Sequence, residues 1–114
     1  MVKLRQEDIK TKEVLSWKGI HLFHFTFSAC SMKTRIFMGL KNIDYTGHHI
    51  NLQKKENFSP YFQGITPRSL VPVLVDDGEV HIESNDILKY LDNKFPTLSS
   101  VSYTHLRAHE TVGN

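Results

Sequence analysis

The clearest alternation of apolar and other positions in the chain lies on either side of the pair Asp77-Gly78. The apolar positions of this alternation are Val71, Val73, Val75, Val80 and Ile82. An Asp-Gly pair between two alternating runs is a strong signal for a two-residue turn in a β-hairpin. The pattern therefore predicts two antiparallel strands, the first of which begins at Val71.

The apolar period changes from strand-like to helical immediately after this hairpin. Ile87, Leu88 and Leu91 recur at the spacing of one helix face, so we predict a helix through the segment "NDILKYLDNKF". Ser84 precedes this segment and is predicted to cap the first turn of the helix. Pro96 follows the segment and is predicted to end the helix.

The first half of the chain shows the same two periods in the order strand, helix, strand. The segment "IHLFHF" predicts a strand, because it is rich in aromatic and branched residues. From Cys30 the apolar residues follow helical spacing as far as Asn42, and "DYTGHHINL" predicts the next strand. The segment "KKENFSPYFQGITPRS" favours irregular structure with one short helix at most, since it contains two prolines and a glycine. The predicted order is βαβ, a loop region and ββα, with a parallel pair first and an antiparallel pair second.

The two ends of the chain do not share these patterns. Residues 1–18 are polar apart from a few apolar positions, and we interpret them as a loose N-terminal extension whose end contacts the domain. The segment "VSYTHLRAHET" resembles the translation of a transposase-type sequencing-library adaptor. We therefore assign residues 98–114 to a non-native or disordered tail, and we expect the authentic gene to continue beyond Leu98.

Composition and charge narrow the class of protein. The length of 114 residues predicts one domain, and the formal charge of +2 gives no basis for nucleic-acid binding. The single cysteine excludes an intrachain disulfide, and the helically spaced His105 and His109 lack an evident third ligand, so we expect no metal site. The chain has no apolar run of about 18 residues and no secretory signal pattern, so we expect no membrane span. We therefore expect a cytoplasmic protein whose single cysteine is reduced.

The segment "FSACSMKTR" places reactive groups where the first strand gives way to the first helix. It offers the hydroxyl of Ser28, the thiol of Cys30 and the hydroxyl of Ser31 as candidates for chemistry. Lys33 stands where a C-x-x-C motif would carry its second thiol, which disfavours dithiol redox chemistry.

A second group of candidates surrounds the hairpin. Glu83 and Ser84 place a carboxylate, a hydroxyl and N–H groups at a helix start, which suits the ammonium and carboxylate of a ligand. Pro72 fits either a cis Val71–Pro72 bond or a trans proline on an edge strand. The cis form would expose the backbone N–H and C=O of Val71 to a peptide-like ligand.

In this order and spacing, these segments resemble the N-terminal domain of cytosolic glutathione transferases over residues 19–97. The resemblance is carried by "SACSMKTRI", "GITPRSLVPVLVDDGEVHIES" and "NDILKYLDNKFP". It implies an α/β, thioredoxin-like βαβ–ββα fold with a four-stranded mixed sheet. The all-helical C-terminal domain, which supplies the electrophile pocket in this family, is missing from the chain.

The resemblance implies a glutathione-binding role for four residues. Val71 would pair with the cysteinyl backbone of glutathione beside a cis Pro72. Glu83 and Ser84 would hold the γ-glutamyl end of glutathione.

The resemblance leaves two alternatives for the catalytic residue. Enzymes of this family stabilise the thiolate of glutathione, which a hydroxyl donor and a helix N-terminus both favour. Ser28 matches the catalytic serine of the zeta- and tau-like classes. Cys30 instead matches the catalytic cysteine of the beta-like pattern, which can form a mixed disulfide with glutathione.

The function implied for the full-length gene is detoxifying transfer of glutathione, as a substrate, to an electrophilic small molecule by a cytoplasmic homodimer. The chain by itself is expected to be inactive, because half of the active site is missing. One alternative is a non-catalytic module that keeps a glutathione-like pocket. Another is a glutathione-dependent thiol reductase or isomerase that uses Cys30.

Overall fold

The structure, a computed structural model, describes residues 3–96. The strands are β1 (Lys3–Leu4), β2 (Ile20–His24), β3 (Thr46–His49), β4 (Val73–Asp76) and β5 (Glu79–Ile82). The helices are α1 (Ala29–Leu40), α2 (Pro60–Gln63) and α3 (Ser84–Lys94), with short 3₁₀ turns at Gln6–Asp8, Lys12–Ser16 and Glu56–Phe58. The predicted tail at residues 98–114, with His105 and His109, lies outside the described residues.

One mixed sheet organises these elements in the order β1-β5-β4-β2-β3. Strand β2 runs parallel to β3 and antiparallel to β4, while β5 is antiparallel to both β4 and β1. The predicted α/β fold of βαβ–ββα order is confirmed. The sheet has five strands where four are predicted, because Lys3 and Leu4 pair with His81 and Val80 along the outer edge of β5.

The predicted hairpin turn is present, and it also contacts the N-terminal segment. Asp77 and Gly78 have positive φ angles of 48° and 86°, which is the geometry that favours Asp-Gly in a two-residue hairpin turn. The Asp77 carboxylate accepts a hydrogen bond from the Gly19 N–H at 2.7 Å. A side chain at Gly78 would place its Cβ 2.3 Å from the carbonyl oxygen of Leu15, so this close approach also requires glycine.

One face of the sheet is covered by α1 and α3. The apolar residues buried there, which we call the helix-side core, are Leu22, Phe37, Met38, Ile43, Leu74, Ile87 and Leu91. The predicted apolar face of α3 is confirmed, and that of α1 is confirmed for Ile36, Phe37 and Leu40 but is wrong for Met32, which is exposed. Lys33 adds a polar link between the helices, since its ammonium donates to the Asn85 side-chain oxygen at 2.7 Å.

The opposite face of the sheet is covered mostly by segments without long helices. Its buried residues, which we call the loop-side core, are Ile9, Val14, Phe23, Ile50, Phe62, Ile65, Val73, Val75, Val80 and Ile82. Ile9 and Val14 are only 1% and 0% exposed, so residues 3–18 pack as part of the domain, in contrast to the loose segment that their polar pattern predicts. The domain boundaries themselves stay predictions.

Candidate functional site

Five of the six predicted site residues line a single cleft of about 110 Å³. These five residues are Cys30, Val71, Pro72, Glu83 and Ser84. The cleft lies where the start of α1, the loop before β4 and the start of α3 come together. Residues as far apart in the sequence as Cys30 and Ser84 thus contribute to one concave surface.

The loop before β4 contributes the Val71–Pro72 peptide bond to the lining of the cleft. The Val71–Pro72 bond is cis, which confirms one of the two predicted alternatives. Strand β4 begins at Val73 where a start at Val71 is predicted, because Pro72 lacks the N–H that a ladder hydrogen bond requires. No backbone hydrogen bond joins Val71 to another residue of the described range 3–96, so its N–H and C=O face no competing strand.

The start of α3 contributes Glu83 and Ser84 to the lining of the same cleft. Glu83 is the N-cap residue, with a positive φ of 72°, and its carbonyl accepts the Ile87 N–H at 2.9 Å. The predicted cap at Ser84 is therefore wrong by one position, because the helical hydrogen-bond ladder already begins at Glu83. The side chain of Glu83 does not cap the helix, so the first-turn N–H groups have no side-chain cap, and a helix N-terminus of this kind favours an anion.

The start of α1 differs, because it has a side-chain cap. The Ser28 hydroxyl oxygen accepts the Ser31 N–H at 3.2 Å, and the Ser28 carbonyl accepts the Met32 N–H at 2.8 Å. Ser31 is fully buried, and its hydroxyl accepts the Phe25 N–H at 3.3 Å. Ser31 is therefore a structural residue, whereas Cys30 is exposed and lines the cleft.

Four residues that line the cleft are absent from the predicted set: Thr66, Arg68, Leu70 and Ile82. Arg68 forms an ion pair with Glu83 through its guanidinium, and so links the loop before β4 to the start of α3. In the sequence, Arg68 stands out only as a charged residue in the loop, four positions before Pro72. The family resemblance assigns no chemistry to this position.

The histidines of β2 and β3 lie outside the cleft lining and pack against one another, as histidines on strands usually do. One ring nitrogen of His21 lies 2.9 Å from a ring nitrogen of His48; the His48 ring stacks on Trp17, and the His21 ring is tilted against Trp17. Burial, and then the neighbouring His21, lower the pKa of His48. Burial, followed by Arg35 and the other histidines nearby, lowers the pKa of His24.

Residues 3–96 contain neither a metal-binding cluster of side chains nor a membrane-spanning helix. No group of three or more His, Cys, Asp or Glu side chains in that range is arranged to hold a metal ion. None of the helices in the same part of the chain is long and apolar enough to cross a membrane.

The βαβ–ββα order, the mixed sheet and the cis proline ahead of β4 define a thioredoxin-like domain. The family model described as "Glutathione S-transferase, N-terminal domain" matches residues 22–99. The chain belongs to the glutathione S-transferase family, and the matched residues correspond to its N-terminal domain.

Individual relatives agree with this assignment. A zeta-class glutathione S-transferase of Euphorbia esula is 42% identical over 77 residues, which are 68% of this chain and 34% of that protein. Maleylacetoacetate isomerase of Mus musculus is 38% identical over 77 residues, which are 66% of this chain and 36% of that protein. The chain spans about a third of the length of the curated relatives it matches.

Solved structures show the same fold. Human glutathione transferase theta-2, solved in complex with glutathione, superposes with a TM-score of 0.67 at 30% identity over 69% of this chain and 32% of that chain. The holo structure of a bacterial zeta-class maleylpyruvate isomerase gives a TM-score of 0.65 at 29% identity over 77% of this chain and 44% of that chain.

Proposed function

We propose that this domain binds glutathione in the cleft and that the whole protein transfers glutathione to an electrophilic small molecule. The observation that carries the proposal is the convergence of Cys30, Val71, Pro72, Glu83 and Ser84 on one cleft. Relatives whose names describe glutathione transferases support the same reaction class.

Each wall of the cleft suits one part of the tripeptide. The unpaired backbone of Val71 suits the backbone of the cysteinyl residue, because an extended peptide pairs with an exposed strand edge. The Glu83 carboxylate suits the ammonium of the γ-glutamyl end. The Ser84 hydroxyl and the first turn of α3 suit its carboxylate, since helix N-termini favour anions.

Ser28 is our first candidate for stabilising the thiolate. Its hydroxyl oxygen already accepts the Ser31 N–H, so the hydroxyl proton is left to donate to a sulfur anion. The positive end of α1 favours the same charge. A hydrogen bond to the charged form and a nearby helix terminus both lower the pKa of the bound thiol from its ordinary value of about 8.5.

Cys30 supports the alternative of a glutathione-dependent reductase or isomerase. It is exposed and lines the cleft, whereas Ser28 is not among the lining residues. In thiol–disulfide exchange, the Cys30 thiolate would attack glutathione disulfide, form a mixed disulfide and release one glutathione thiolate. Relatives named as maleylacetoacetate and maleylpyruvate isomerases keep the isomerase reading in view.

The two candidates are separated by substituting each one and measuring two properties of the chain. We expect Ser28→Ala to raise the pKa of bound glutathione, followed by thiolate absorbance, by about one unit or roughly 1.4 kcal/mol. Cys30→Ala is expected to leave that pKa unchanged and to abolish any mixed disulfide detected by mass spectrometry. If glutathione binds but neither variant changes either property, the domain is a non-catalytic binding module. If glutathione does not bind at all, the proposed function is wrong.

The state of the whole protein belongs to the same proposal. We propose a cytoplasmic homodimer, and size measurement of the full-length gene product tests the dimer directly. The electrophile is addressed by conjugation assays on that product, because the chain spans only about a third of its relatives.

A further inference from the structure

We propose that Arg68 is a specificity-determining residue that binds the α-carboxylate of the ligand while Glu83 binds the adjacent ammonium. The cleft would then select an unblocked, zwitterionic amino-acid end over ligands that carry only one of the two charges. This inference rests on the proposed function, because it names how one end of glutathione is recognised.

The ion pair between Arg68 and Glu83 is the observation from which the inference starts. Arg68 belongs to the loop before β4 and Glu83 to the start of α3, and both residues line the cleft. Their side chains are 50% and 39% exposed, so neither is sealed away from a ligand. A paired cation and anion that are open to one cleft match the two charges of an amino-acid end.

The chemistry of an α-amino acid places both charges within reach of this pair. Its ammonium and its carboxylate are attached to the same carbon. A ligand whose ammonium contacts Glu83 therefore holds its carboxylate close to the Arg68 guanidinium, which also contacts Glu83. A guanidinium has five N–H donors in a planar fork. Arg68 therefore has donors for a second carboxylate while it keeps its contact with Glu83.

The turn that carries Arg68 is anchored on both sides. Thr66 and Ser69 are 1% and 4% exposed. The Ser69 N–H donates to the Thr66 carbonyl at 3.2 Å, and the Ser69 carbonyl accepts from the Asn57 side-chain nitrogen at 3.0 Å. These contacts hold the backbone on either side of Arg68 in place before the ligand arrives, which reduces the backbone entropy lost on binding.

If Arg68 competes with the ligand for Glu83, a different change in affinity is expected. If the guanidinium only occupied the place of the ligand ammonium on Glu83, it would compete with the ligand, and its removal would tighten binding. The sign of the change in affinity therefore distinguishes recognition from competition.

The test measures the affinity of the full 114-residue chain for three peptides by calorimetry. The peptides are glutathione, its analogue without the α-carboxylate (4-aminobutyryl-Cys-Gly) and its analogue without the α-ammonium (glutaryl-Cys-Gly). We expect Arg68→Met to weaken glutathione binding by about tenfold to a hundredfold, because a hydrogen-bonded charge pair is lost. The same variant should bind the analogue without the α-carboxylate as the unmodified chain does.

Two further variants make the result specific. Arg68→Lys keeps the charge without the planar fork and should recover part of the lost affinity. Arg5→Met removes an equally charged but exposed side chain outside the cleft, and it should leave all three affinities unchanged. Melting temperatures confirm that each variant is folded. If Arg68→Met does not fold, Arg68→Lys is used to compare the affinities for glutathione and for the analogue without the α-carboxylate.

Unchanged or tighter binding of glutathione by Arg68→Met would overturn this inference alone. An equal loss for glutathione and for the analogue without the α-carboxylate would also overturn it, since the guanidinium would then act on another part of the ligand. Failure of the unmodified chain to bind glutathione would overturn the proposed function, and this inference with it.

Discussion

The two faces of the sheet are buried to a similar depth by different kinds of chain. The helix-side core is covered by α1 and α3, whose apolar residues recur at helical spacing. The loop-side core is covered by residues 3–18 and by the segment around α2, which have no long regular element. The same strands supply both faces, because successive residues such as Leu22 and Phe23 point to opposite sides.

Burial in this domain does not depend on regular secondary structure. Ile9 is as inaccessible as Ile87, although one lies beside a single 3₁₀ turn and the other on a long helix. Backbone hydrogen bonds explain how the irregular segment stays in place. The N–H groups of Lys10 and Thr11 both donate to the Gly64 carbonyl, at 2.7 and 3.1 Å, which ties residues 3–18 to the end of α2.

The strongest test replaces one isoleucine on each face by alanine. Ile9→Ala and Ile87→Ala remove the same atoms from sites that are 1% and 0% exposed. Each is expected to lower the free energy of unfolding by about 2–5 kcal/mol, through lost burial and the cavity that remains. Urea denaturation measures both changes. A loss below about 0.5 kcal/mol for Ile9→Ala alone, as is usual at surface positions, would show that the two faces are not equivalent.

A smaller test uses two glycines that differ only in what lies next to them. Gly78 and Gly19 have similar positive φ angles of 86° and 75°, but only Gly78 approaches the Leu15 carbonyl. Gly19→Ala should cost about 1 kcal/mol for backbone conformation. Gly78→Ala should cost roughly 2–4 kcal/mol, because the N-terminal segment must also shift. Equal melting temperatures for the two variants would contradict the close packing of that segment on the hairpin.

The difference between the faces also explains how much of the fold was predictable. The helix-side core follows from the periodicity of α1 and α3, and the hairpin follows from Asp77-Gly78. Ile9 and Val14 stand five positions apart among polar residues, which fits neither the helical nor the strand period. Their burial depends on contacts with residues far along the chain, so local sequence does not reveal it.

The candidate site also contains residues that the sequence predicts and a contact that it does not predict. The predicted residues Val71, Glu83 and Ser84 line the cleft because hairpin and helix signals fix their place in the chain. The ion pair of Arg68 with Glu83 was not predicted, since it joins a loop to a helix start across the cleft. Loop conformation of this kind is set by tertiary contacts and not by residue spacing.

The burial of His81 on the helix side of the sheet is tested by measuring the free energy of unfolding as a function of pH. This residue is 1% exposed, stacks on Tyr90 at 4.0 Å, and burial lowers its pKa despite the Glu79 carboxylate 3.6 Å away. The imidazole therefore takes up a proton at a lower pH in the folded chain than in the unfolded chain, where it titrates near its ordinary value of about 6.5. Its contribution to stability is complete above that pH and is lost as the pH falls through and below it.

The variant His81→Phe keeps the stacking and removes the titration. It should lose less stability than the unmodified chain between about pH 7 and pH 5, by at most roughly 1.4 kcal/mol per pH unit. Lys3 and Asp76 also act on the ring, in opposite directions, so the difference between the two pH profiles is the quantity to measure. Parallel profiles would mean that His81 is protonated equally in both states.

The smallest change in stability is expected for the ion pair that joins the N-terminal segment to the sheet. Lys3 of β1 lies 3.3 Å from the Glu79 carboxylate, and their side chains are 50% and 45% exposed. Exposed pairs of this kind contribute about 0–1 kcal/mol, so Lys3→Gln should change the free energy of unfolding by no more than that. The change should vanish in about 1 M salt, where charges are screened within roughly 3 Å. A loss comparable to that of Ile9→Ala would mean that charge, and not apolar burial, holds the segment on the domain.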